Sequence, residues 1–101
     1  MFGKRKSAQE LDPPPLAHTN AEATEVLRIW TAPGEGPHVT LRTSWEDPAA
    51  WGVMLVDIAR HAANAYANEG MPRAEALARI KALFDAEWTS PTDDAREIRP
   101  Q

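Results

Sequence analysis

Asp57 and His61 stand four residues apart in the chain, a spacing that sets a carboxylate and an imidazole on one side of a helix. There the carboxylate could orient the ring as a general base, or the two could begin a metal site. A metal needs a third and a fourth ligand. His38 and Glu46 are the available recruits, and nothing in their spacing makes them converge. Asn64 and Asn68 continue the same side, so the plainer reading is a solvated helix face with an i,i+4 hydrogen bond. No serine carries a nucleophile-elbow pattern, and the glycines form no phosphate-cradling run. Gly34 and Gly36 are explained by a turn. The expectation is a chain with no cofactor and no metal. A small metal- or ligand-dependent enzyme using Asp57 and His61 is the first alternative.

The elements that would position these residues are clearer than the chemistry. Trp51, Met54, Leu55, Ile58, Ala62, Ala65 and Tyr66 recur at three- and four-residue steps, and Leu77, Ile80, Phe84 and Trp88 repeat the pattern. Only Glu69-Gly70-Met71-Pro72 separates the two stripes. This reads as a helical hairpin whose apolar faces need a cover. Asp47-Pro48 should start the first helix, with Ser44 as an alternative cap one turn earlier. Gly70 should end it in a left-handed conformation, Pro72 should start the second, and Ser90-Pro91 should stop that one near Trp88.

Upstream, Val26-Leu27-Arg28-Ile29-Trp30 and Val39-Thr40-Leu41-Arg42-Thr43 are rich in β-branched and aromatic residues. The segment Ala32 to Pro37 between them carries both proline and glycine, so the pair reads as an antiparallel hairpin. Leu27, Ile29, Val39 and Leu41 would share the core face. Val26, Arg28, Trp30, His38, Thr40 and Arg42 would lie on the other, half apolar and positively charged.

The fold class is therefore α+β, an antiparallel β-hairpin followed by two antiparallel helices (β-β-α-α). Residues 1–20, with Pro13-Pro14-Pro15, read as a disordered proline-containing arm, 21–89 as a single domain and 90–101 as a polar tail. Leu27, Ile29, Val39, Leu41, Met54, Leu55, Ile58, Leu77, Ile80 and Phe84 are the expected shared core.

A packed part of about 65 to 70 residues is marginal, because small domains bury a low fraction of their surface. The chain has no cysteine, so neither a disulfide nor a thiolate metal site can add stability. Oligomerisation is the remaining common remedy. The net charge of -4 argues against a dedicated nucleic-acid binder. The basic cluster Lys4-Arg5-Lys6 precedes no apolar run, and no stretch has the length to span a bilayer. These features lead us to expect a cytoplasmic protein with no membrane partner.

Trp30 admits three readings. Beside Arg28 and Arg42 it could anchor a protein interface, or stack a base as sheet faces of RNA-binding modules do. A one-residue error in facing would instead make it core.

Glu25-Val26-Leu27-Arg28-Ile29-Trp30 with its glycine-bearing turn, followed by Ala50-Trp51-Gly52-Val53-Met54-Leu55-Val56-Asp57-Ile58-Ala59-Arg60-His61, resembles a family of small uncharacterised bacterial proteins, a domain of unknown function. The resemblance spans about residues 11–91. Its motifs are hydrophobic and structural, and it implies no activity, cofactor or site residue. The leading expectation is a non-enzymatic interaction or regulatory module, a homodimer joined through its hairpins, with a protein partner the sequence does not identify. An RNA-binding module using the Trp30 face is the second alternative.

Overall fold

The computed structural model describes residues 9–91. Lys4-Arg5-Lys6 and the tail from residue 92 lie outside them. Five elements follow in order: α1 (Leu16–Thr19), β1 (Leu27–Trp30), β2 (His38–Leu41), α2 (Ala49–Asn68) and α3 (Arg73–Thr89). They fall into two compact units, one running up to Glu46 and the other starting at Asp47.

In the first unit, α1 is a single exposed turn inside the segment read from sequence as an arm. Pro15, with φ -53°, does not continue an extended run. Its carbonyl accepts from the amides of His18 and Thr19 at 2.9 and 3.1 Å. The hairpin itself is antiparallel, pairing Leu27 with Leu41, Arg28 with Thr40, Ile29 with Val39 and Trp30 with His38. Its turn is set locally. Pro33 is followed by Gly34 at φ 81°, and the Glu35 amide donates to the Ala32 carbonyl at 3.1 Å. Proline then glycine at a positive φ is what a type II turn asks for. The Arg42 amide donates to the Val26 carbonyl at 3.0 Å and carries the ladder one step further.

In the second unit, Asp47 caps α2 from just outside it, its Oδ1 accepting from the Ala49 amide at 2.9 Å. Ser44 takes no part in that cap and instead sits at φ 61° in the approach. The far end of α2 closes as a Schellman motif. Met71 donates to the Tyr66 carbonyl at 3.0 Å and Gly70, at φ 111°, to the Ala67 carbonyl at 3.2 Å. A Cβ at Gly70 would meet no neighbour, so the demand for glycine is one of backbone conformation alone. Gly70→Ala should therefore cost about 1–2 kcal/mol in urea unfolding, the penalty for an L-residue in the left-handed region. An unchanged midpoint would show that the link between the helices relaxes freely.

Packing departs from the expected core. None of its ten residues is fully buried: Leu27, Met54, Leu77 and Ile80 are half-buried, and the other six are exposed. The buried apolar residues among those described are Ala63 and Ala76. The reason lies in helix geometry. The apolar side of α2 runs from Met54 through Ile58, Leu55 and Ala59 to Ala63, about half the circumference, and one neighbouring helix covers only a strip of it. Alanine at the buried position of each helix lets the backbones approach closely and leaves the larger side chains outside the contact. Phe84 and Trp88, assigned from sequence to a covered stripe, are exposed and stacked on each other, with ring centroids 5.6 Å apart.

Candidate functional site

The hairpin register settles how the sheet's side chains are shared between its faces. Arg28 and Trp30 alternate along β1 opposite Thr40 and His38, and Arg42 follows Thr40 by two residues, so all five expected binding residues lie on one face. Leu27, Ile29, Val39 and Leu41 occupy the other. Trp30 is 39% exposed, whereas Ile29, Val39 and Leu41 are 51–54% exposed, so both faces of the ribbon carry exposed apolar side chains. Both strands are also edge strands, each with one row of backbone groups left outside the ladder.

The charge expected on the Trp30 face is largely compensated. The Arg28 guanidinium grips Glu25, with Nη2 2.9 Å from Oε1 and Nε 3.3 Å from Oε2, and its Nη1 lies 3.0 Å from Oε2 of Glu10. The hydrogen bond to Glu25 raises the Arg28 pKa above its ordinary value, with the charges of Glu25 and Glu10 adding to it. Arg42 Nε donates to the Glu25 carbonyl at 3.1 Å, and His38 Nε2 lies 3.0 Å from Oε1 of Glu35. Neither Glu10 nor Glu25 carries a signal of this role in the sequence, and Glu35, at the turn tip, reads there as a solvated residue. Glu25 and Glu35 stand only three residues from their partners, but Glu10 reaches Arg28 across eighteen and no local pattern announces it. A cation already held by two carboxylates is a poor match for a phosphate backbone, whose binding depends on unneutralised charge.

Asp57 and His61 lie together on an exposed side of α2. Neither side chain makes a hydrogen bond or ion pair among the described residues, so the expected side-chain link between them is not formed. Asn64, on the same side, is engaged differently: its Oδ1 accepts from Arg73 Nε at 2.6 Å, tying α2 to the start of α3. His38 and Glu46, the suggested further ligands, belong to the first unit, and no group of three His, Asp or Glu side chains converges among the described residues. No helix of the described residues is long and apolar enough to cross a membrane.

A family model matches residues 10–92. The chain belongs to the family DUF5076, a domain of unknown function. No curated protein matches this member of it. Among solved structures it is similar to "a putative pyruvate dehydrogenase from the photosynthetic bacterium Rhodopseudomonas palustrus", with 41% identity, a TM-score of 0.67 and complete coverage of both chains. The DUF5076 assignment brings no activity with it.

Proposed function

We propose that this protein is a non-enzymatic interaction or regulatory module that works as a homodimer and contacts its partners through the hairpin face of Arg28, Trp30, His38, Thr40 and Arg42. The observation that carries the reading is the open apolar surface of the hairpin: Ile29, Trp30, Val39 and Leu41 are all exposed in the single chain. A lone two-stranded ribbon is marginal in water. Joining the strands of two copies edge to edge extends the sheet to four strands, satisfies backbone groups that water now serves, and brings the two Trp30 side chains into one interface. Arg28 enters that interface already paired with Glu25 and Glu10, and Arg42 already hydrogen-bonded to the Glu25 carbonyl.

The enzyme reading has less support, because Asp57 and His61 are solvated and unlinked. The pyruvate dehydrogenase wording belongs to the neighbouring structure. Decarboxylating oxidation of a 2-oxo acid calls for a cofactor that serves as an electron sink, commonly one bearing a diphosphate. Among the described residues Gly34 and Gly36 share the hairpin loop, Gly52 lies within α2 and Gly70 ends it, so these offer no glycine loop to cradle that group. The described residues do not fit it.

Sedimentation at low micromolar concentration tests the proposal. The parent should run as a dimer, and Trp30→Ala as a monomer with its helical circular dichroism intact, since an aromatic anchor of this kind contributes over about 2 kcal/mol. A Trp30→Ala protein that keeps its mass removes the hairpin interface. A monomeric parent that loses a bound oligonucleotide on the same substitution would move the face to RNA instead.

A further inference from the structure

The helical unit carries an apolar surface independent of the hairpin. Two grooves of about 500 and 520 Å³ run along it and share Ile80 and Phe84. The first is lined by Gly52, Leu55 and Val56 from α2 and by Phe84 and Trp88 from α3. Its two walls differ in shape at the end away from the link between the helices. Trp88 is 74% exposed and braced by its stack on Phe84, so it stands out as a knob. At Gly52 a Cβ would meet nothing within 4 Å, so the α2 wall has an open notch there.

We infer that this groove is a second interface between copies of this chain, in which the Trp88 side chain of each copy fills the open space over Gly52 of the other. The inference shares with the proposed function only the premise that copies associate, and it does not depend on Trp30. Two features favour a second copy over an unrelated helix. A twofold contact requires knob and notch on the same surface, since each residue of one copy meets its counterpart's partner in the other, and Trp88 and Gly52 supply them.

Size is the second feature. The 17 residues of α3 extend about 25 Å at 1.5 Å per residue. A face of that length and two helices wide projects on the order of 500 Å², with helix axes about 10 Å apart. Interdigitated side chains bury more accessible area than the projection, which approaches the roughly 800 Å² per partner of a standard interface. Four helices would then enclose Leu55, Ile80 and Phe84, which a pair leaves open or half-covered.

Two variants separate this from a folding defect. Gly52→Leu adds a side chain where the single chain has room, at a helix position where leucine is favoured over glycine, so the monomer tolerates it. Trp88→Lys replaces a side chain that the monomer leaves in water. Each should weaken self-association by about thirtyfold or more in sedimentation equilibrium, with helical circular dichroism unchanged. A Gly52→Leu or Trp88→Lys protein with the parent's association constant overturns the inference. Trp30→Ala, run alongside, keeps the two surfaces apart. If it alone dissociates the parent, the hairpin interface stands and the helical one falls; if only the helical variants do so, the reverse holds. A loss of one step of mass from each kind of variant supports both, as a dimer of dimers requires.

Discussion

Ala63→Leu should lower the unfolding free energy by about 1–3 kcal/mol, the usual cost of forcing extra carbons into a filled contact. Ala63 has no solvent exposure and Ala76 has 3%, so the two mark the line along which α2 and α3 approach most closely. A leucine at Ala63 has nowhere to go except into α3, and the helices must separate or rotate to admit it. In a domain of this size each kcal/mol moves the melting temperature by about 4–8 °C, so the shift is easy to read by circular dichroism. Val53→Ala is the control. Val53 lies on the exposed side of the same helix, where a substitution changes stability by no more than about 0.5 kcal/mol. An Ala63→Leu protein melting with Val53→Ala would place the helix contact elsewhere.

Much of the architecture is legible because its signals are local. The alternation in Leu27 to Trp30 and in His38 to Leu41, with proline and glycine in the turn, is enough to put Leu27 and Ile29 opposite Leu41 and Val39. The Gly70 cap and the Asp47 cap are written within a few residues of the helix ends they serve. Burial is another matter. A period of 3.6 shows that α2 and α3 have apolar stripes, but not how much of each stripe a neighbour covers. The stripe residues Ile58, Phe84 and Trp88 are consequently exposed, and the contact passes through Ala63 and Ala76. A signal for that contact exists in the sequence. Ala59 and Ala63 are one turn apart in α2, and Ala76 stands near the start of α3, the small residues that permit close approach. The compensation of Arg28 by Glu10 had no such signal, since it depends on a fold-back of eighteen residues.

Ile80 gives the sharpest reading of whether the helical faces stay in water. It lines both grooves and is half-buried in the single chain. Were it never covered further, Ile80→Ala would lose only part of an isoleucine's transfer free energy, about 1 kcal/mol. Enclosed by a second helical pair, the same truncation leaves a cavity and should cost about 2–5 kcal/mol. The larger figure is the expected one. It comes with a condition that a monomer cannot imitate: whatever binds only the folded chain stabilises it by mass action, so the parent's melting temperature must rise with protein concentration. Both quantities come from the same melts, recorded over a hundredfold range of concentration. A concentration-dependent parent and an Ile80→Ala variant that loses most of that dependence would mean the stability missing from each helical pair resides in the second copy. A parent whose melting temperature ignores concentration, with Ile80→Ala costing about 1 kcal/mol, would mean that Leu55, Phe84 and Trp88 remain solvated and that the helix pair stands on its Ala63–Ala76 contact alone.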